Sequence, residues 1–152
     1  MNGSRYRSSL SVDEKVLMSM VRVSELFKKT ASEIFKNYGL TFTQYNVLRV
    51  LNASEDGTNT ITKVSKILLV TGANMTGVAK RMERDGFLLR KRYSQDERVT
   101  LLEITPKGRK ALENIQPEKE KHIDNFVGDL SAEEKTQVLA LLKQIYSKNE
   151  NK

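Results

Sequence analysis

The sequence predicts a mainly α-helical protein carrying a small β-hairpin, for three reasons. Apolar residues recur at helical spacing through most of the 152 residues. That period breaks once, within residues 87–104, where two strand-like runs flank a polar joint. With 38% hydrophobic and 30% charged residues, the chain is globular and has the length of one domain, enough to bury a core without staples.

Residues 1–11 are polar and aperiodic and read as a flexible N-terminal arm. From Val12 to Tyr38 one stripe runs through Val16, Met20, Val23, Phe27, Ala31, Ile34 and Tyr38. Leu17, Val21 and Leu26 widen it beyond what one neighbour can cover, which points to a subunit interface. Gly39 suits the left-handed residue after this helix. Thr41-Phe42-Thr43-Gln44 has capping-box form and starts a helix burying Tyr45, Leu48 and Leu51. After a loop at 54–60, Ile61 is expected in a very short strand, and Thr62 as cap of a helix through Val64, Ile67 and Leu68. Thr71 caps the next helix, which buries Met75, Val78, Ala79 and Met82 and stops at Gly86.

Phe87–Tyr93 and Arg98–Ile104 are the two strand-like runs, joined by Ser94-Gln95-Asp96-Glu97. Thr105-Pro106 opens a helix carrying Leu112 and Ile115, with a kink or break expected at Pro117 and an end at Gly128. Ser131-Ala132-Glu133-Glu134 is a second capping box, and its helix carries Val138, Leu141, Leu142 and Ile145 on one face.

The formal charge of +7 is concentrated in one block. Residues 61–110 hold 12 Lys/Arg against 5 Asp/Glu, while the balances of residues 1–60 and 111–152 cancel. Such a block is the electrostatic footprint of a surface for polyanions, although a cationic surface also serves solubility. The chain has no cysteine, which excludes disulfides, thiolate metal sites and thiol chemistry. Its single histidine, His122, is too few for a histidine metal site and reads as an exposed or interface residue. No nucleophile–base pair and no phosphate-cradling loop stands out, so no enzyme and no cofactor is expected. The lack of an apolar leader or spanning stretch leads us to expect a cytoplasmic protein.

Helix, helix, tight turn, helix and hairpin is the order of a winged helix-turn-helix, and its basic part coincides with the +7 block. If Met75, Val78, Ala79 and Met82 face the core, then Ala73, Asn74, Thr76, Gly77, Lys80, Arg81 and Arg84 cover the opposite side. Small residues at its start let such a helix approach the floor of a major groove, where Asn74 can pair with an adenine edge and the Ala73 methyl can touch thymine. Gly77 fits close approach to DNA or, equally, close packing against a neighbouring helix. Lys80, Arg81 and Arg84 can neutralise phosphates, or Arg81 can bridge to Glu55, Asp85 or Asp96. Thr62, Lys63 and Lys66 fit phosphate contacts or a solvated face. At the wing, Arg98 is placed to enter a minor groove with Asp96 orienting it, the alternative being an ordinary hairpin tip. Of Arg90, Lys91 and Arg92, alternation lets at most two meet DNA together.

Gly39-Leu-Thr-Phe-Thr-Gln44, Asn74-Met-Thr76, Arg81-Met-Glu-Arg-Asp-Gly86, Asp96-Glu-Arg98 and Leu102-Glu-Ile-Thr-Pro-Lys-Gly108 together resemble the MarR family of bacterial transcription regulators, over about residues 12–148. The resemblance implies a winged helix-turn-helix over 39–105 and a helical dimerisation region made of 12–38 and 106–148. It implies a homodimeric, ligand-responsive repressor on a pseudo-palindromic operator, with Asp96 and Arg98 working at the wing. It also implies a phenolic or anionic effector between dimer helices and winged module, for which Arg22, Phe42 and Tyr45 offer a cation and two rings. Core packing explains Phe42 and Tyr45 as well. Control by cysteine oxidation is excluded, and zinc sensing is disfavoured by the lone histidine. The rival function is a winged-helix module that binds protein partners and no DNA.

Overall fold

The computed structural model describes residues 8–152; most of the expected arm, residues 1–7, lies outside the described residues. Ser11 belongs to the first helix rather than to an arm. It caps α1 (Val12–Lys36) in a reciprocal box, its side chain accepting from Glu14 N–H and Glu14 accepting from Ser11 N–H. Gly39, at φ +76°, turns the chain into α2 (Phe42–Asn52), whose Thr41–Gln44 capping box forms as expected. Phe35 of α1 stacks on Tyr45 of α2 with ring centroids 4.0 Å apart.

The short strand lies earlier than the sequence suggested. A 3-10 turn, Glu55–Gly57, leads into β1 (Thr58–Thr60), and Ile61 is already helical. Thr60, not Thr62, caps α3 (Ile61–Leu68), its side chain accepting from Lys63 N–H. Ile67, expected in the core, is 56% exposed, because the inward face of α3 is made by Ile61, Val64, Ser65 and Leu68 and leaves Ile67 outside it. Leu69 closes α3 in the left-handed region at φ 54°. Thr71 then caps α4 (Gly72–Arg84), which buries Met75, Val78, Ala79 and Met82 as its period predicts. Gly86, at φ +85°, reverses the chain out of α4 at an angle that a side chain would resist.

Instead of a two-stranded hairpin, the wing is a three-stranded antiparallel sheet in the order β1-β3-β2. β2 (Leu88–Tyr93) and β3 (Asp96–Ile104) pair with one another, and β1 covers the far edge of β3. The turn is shorter than the four-residue joint expected, since Tyr93 already faces Asp96. Arg92, however, faces Thr100, so Glu97, Arg98 and Val99 bulge out of the ladder without partners.

Thr105 and Pro106 open α5 (Pro106–Val127), which runs through Pro117 unbroken. Pro117 is exposed there, and the cost of its ring is confined to the solvent side of the helix. α6 (Ala132–Asn149) starts on the Ser131–Glu134 box and buries no residue at all. The core, with Leu48, Leu51, Met75, Met82, Leu88, Leu102 and Ile115 almost fully enclosed, sits among α2, α3, α4, the first half of α5 and the sheet. Only the last part of α1 joins it, through Ala31 and Phe35; Val16 and Val23, upstream on the predicted stripe, are 47% and 59% exposed. No helix among the described residues is long and apolar enough to cross a membrane.

Candidate nucleic-acid interface

The packing of α4 decides which side chains are presented. Its four apolar residues are turned to the core, so Ala73, Asn74, Thr76, Lys80, Arg81 and Arg84 stand exposed on the far side. The Asn74 carboxamide has no hydrogen-bond partner among the described residues, while its backbone N–H donates to the Thr71 cap at 3.4 Å. Thr76 Oγ1 donates back to the Gly72 carbonyl at 3.0 Å, which leaves its methyl outward. A Cβ at Gly77 would meet nothing but the Arg81 guanidinium, 3.3 Å away. No neighbouring helix crowds Gly77, so the packing explanation for a glycine here is not what the structure shows.

Arg81 forms no ion pair among the described residues, so the alternative of a bridge to Glu55, Asp85 or Asp96 is not what the structure shows; Arg84 is the one that reaches Asp85, at 3.3 Å. Lys80 is also unpaired among these residues, and both cations lie open beside Asn74 along α4. Thr62, Lys63 and Lys66 are exposed on α3, the helix that precedes the turn.

At the wing tip Asp96 Oδ1 accepts from Arg98 Nε at 3.0 Å and from Arg98 N–H at 3.1 Å, and Oδ2 accepts from Nη2 at 3.2 Å. The Arg98 side chain is nonetheless 92% exposed, held in one direction by its partner rather than by packing. Its guanidinium, with the backbone N–H, holds the Asp96 carboxyl below the usual carboxylate range. The neighbouring cations of β2 are largely committed. Lys91 Nζ donates to Glu103 at 2.8 Å, and Arg90 is gripped by Glu83 of α4. Sequence reasoning missed this Glu83–Arg90 pair, because its partners are seven residues apart across a turn and a change of period.

A second feature lies behind the winged module. Phe27, Phe42, Tyr45, Arg49, Lys119 and His122 are among the residues lining a cavity of about 150 Å³ between α1, α2 and α5. Phe42 and Tyr45 were expected at such a place, and burial pushes the Tyr45 phenol up from its ordinary value. Arg22 does not line it; that residue sits higher on α1, in an open groove with Ser19 and Leu26. The cations that do line it, Arg49 and Lys119, stand on α2 and α5 and become neighbours only on folding. His122, expected to be exposed or at an interface, is placed inside the chain. It is buried, with Nε2 2.6 Å from Thr30 Oγ1 and its ring 5.1 Å from Phe27 and 5.0 Å from Phe126.

The family described as "Transcriptional regulator SarA/Rot" matches residues 29–115, a span from mid-α1 through the winged module into α5. Among curated proteins, the uncharacterized HTH-type transcriptional regulator YkoM of Bacillus subtilis is 30% identical over 84% of this chain and 84% of its own length. The HTH-type transcriptional repressor YetL of the same species is 25% identical, covering 88% of this chain and 80% of its own. Solved MarR-family structures share the fold. AbsC of Streptomyces coelicolor superposes with a TM-score of 0.85 at 18% identity, over 98% of this chain and 100% of its own. Sco3205 of the same organism, solved in complex with DNA, does so at 0.81 and 19% identity, over 95% and 91%. BpsR of Bordetella bronchiseptica, whose DNA binding is regulated by 6-hydroxynicotinic acid, does so at 0.76 and 24% identity, over 86% and 98%. By sequence and by architecture, this chain belongs to the SarA/Rot family of transcriptional regulators, a winged helix-turn-helix of MarR type.

Proposed function

We propose that the protein binds double-stranded DNA as a homodimer and represses transcription from a pseudo-palindromic operator, responding to a small anionic or phenolic effector. The observation that carries the DNA reading is the exposed face of α4. It sets the free carboxamide of Asn74 and the unpaired Lys80 and Arg81 on the side opposite the core, with nothing but the Arg81 guanidinium over Gly77. Asn74 addresses base edges in the major groove, Thr62, Lys66, Lys80 and Arg84 address phosphates, and Arg98, steered by Asp96, enters the adjacent minor groove.

Pairing is supported by α6, whose apolar face is left uncovered among the described residues, and by the exposed first half of α1. Two copies of α4 held about 34 Å apart would meet successive major grooves. Repression has its support in YetL, a named repressor, and effector response in BpsR, whose ligand is an aromatic acid. The cavity beneath α2 suits such a ligand, with rings for its body and Arg49 and Lys119 for its charge. An effector placed there acts by favouring a spacing of the winged modules that fits the duplex poorly.

The test is selection of duplex fragments by the purified protein, followed by titration of the chosen site. Replacing Asn74 should change the sequence preference, whereas Lys66→Ala should weaken binding evenly over all sequences. A protein that enriches no duplex at low salt would overturn the reading in favour of a protein-binding module.

A further inference from the structure

The recognition helix and the wing can read one stretch of duplex together only if the angle between them is fixed. We propose that Glu83 is the positioning residue that fixes it, acting through Arg90; this rests on the DNA reading above.

Glu83 is the sole acidic residue of α4, on a helix whose outward face is otherwise neutral or cationic. A carboxylate pointed at DNA would repel phosphates, but this one is turned sideways to the wing and half-buried. Its Oε2 accepts from the Arg90 backbone N–H at 2.8 Å, and its Oε1 accepts from Arg90 Nε at 3.1 Å and lies 3.1 Å from Nη2. One carboxylate thus grips both the backbone and the side chain of one strand residue. The Arg90 N–H, more than the guanidinium, keeps the Glu83 carboxyl below its ordinary range, so the grip persists at neutral pH.

No other side-chain hydrogen bond or ion pair joins α4 to β2 or β3 among the described residues. Below Arg90 the wing is seated by apolar burial, with Leu88 and Leu102 enclosed. Above it only Lys91 and Arg92 still pair with Leu101 and Thr100 before the ladder is interrupted, leaving Glu97, Arg98 and Val99 without strand partners. Arg90 is therefore the last point at which the wing is tied to the recognition helix. From there the placement of Arg98 is carried by the β2–β3 ladder, braced by the Lys91–Glu103 pair and by Asp96. Apolar packing at the base sets a contact but not an angle; a directional three-contact grip sets both.

A double-mutant cycle in the full chain on a selected duplex tests this. Glu83→Ala should weaken binding about tenfold in the wild-type background and less than about twofold when Arg98 is already alanine. Arg90→Ala, which removes the guanidinium contacts and leaves the backbone N–H on Glu83, should repeat that pattern with a smaller loss. Glu83→Gln, which keeps an acceptor for the Arg90 N–H, should recover part of the loss. Footprints of the Glu83→Ala protein should lose minor-groove protection and keep the major-groove contacts. Equal losses with and without Arg98, or no loss at all, would overturn the proposal while leaving the DNA reading intact. Failure of the wild-type chain to bind any duplex would instead remove the DNA reading and this proposal with it.

Discussion

The middle of the chain and its two ends carry apolar stripes of the same period, yet the stripes meet different fates. Between Gly39 and Thr105 they close on one another: Leu48 and Leu51 of α2, Val64 of α3 and Met75 and Met82 of α4 reach essentially zero exposure. Beyond the parts of α1 and α5 that join this core they stay open, with Leu17 and Leu26 of α1 and Leu139 and Leu141 of α6 all more than half exposed. A fully buried Leu or Met contributes about 1.5–3 kcal/mol, so an uncovered face of this breadth on two long helices is a deficit. Periodicity therefore tells that a face must be covered, and not by which molecule. The winged module covers its own; the uncovered faces of α1 and α6 are where the proposed pairing of two copies falls, away from the exposed face of α4.

The largest expected effect breaks the middle. Leu48→Ala, at a site with no room to collapse, should cost about 2–5 kcal/mol of stability in a thermal melt, with association affected only through unfolding. The converse substitution breaks the ends. Leu141→Asp, on the exposed face of α6, should leave the melt of the winged module in place. It should produce monomers by sedimentation and lower affinity for a two-site duplex about a hundredfold. If Leu141→Asp unfolded the chain instead, the distinction between the two regions would fail.

Smaller changes sharpen it. Arg98→Ala should reduce DNA affinity about tenfold with little change in melting temperature, since its exposed side chain is held only by Asp96 and packs on nothing. Gly77→Ala separates fold from function within one residue. A Cβ there displaces only the Arg81 guanidinium, so helix stability should rise by up to about 1 kcal/mol while DNA affinity falls. A drop in melting temperature would instead mean that Gly77 is needed for packing.

The smallest effects are in pH. Glu83 and Asp96, both held below the ordinary carboxylate range, contribute stability that is complete above about pH 4 and lost as pH falls through their folded values. Tyr45, raised by burial, works the other way. Its contribution is complete below about pH 10 and lost as pH rises beyond that, an alkaline loss that Tyr45→Phe should remove.

Much of this architecture is legible in the residues because it is local. Thr41, Thr71, Thr105 and Ser131 are caps recognisable from their own neighbours, and the inward residues of α4 follow from period alone. The pairing of Asp96 with Arg98 is likewise local, at a separation of two residues. What the sequence hides depends on distant partners. β1 is three polar residues, Thr58-Asn59-Thr60, with no alternation to betray it, and it is a strand only because β3 offers an edge. The shift from Thr62 to Thr60 as cap follows from that same edge. His122 is polar, and nothing nearby announces that Thr30 and two phenylalanines will enclose it. Arg22 is on a helix that lines the cavity but more than one turn before Phe27, and the cations that line it, Arg49 and Lys119, stand on other helices.

The central claim is that the cationic winged module reads a duplex and is presented twice. Sedimentation of the full chain with a selected duplex measures this most directly, through stoichiometry and salt dependence together. The account predicts two chains per duplex, with affinity falling steeply as salt rises because phosphate contacts release counterions. One chain per duplex, or a complex indifferent to salt, would contradict it.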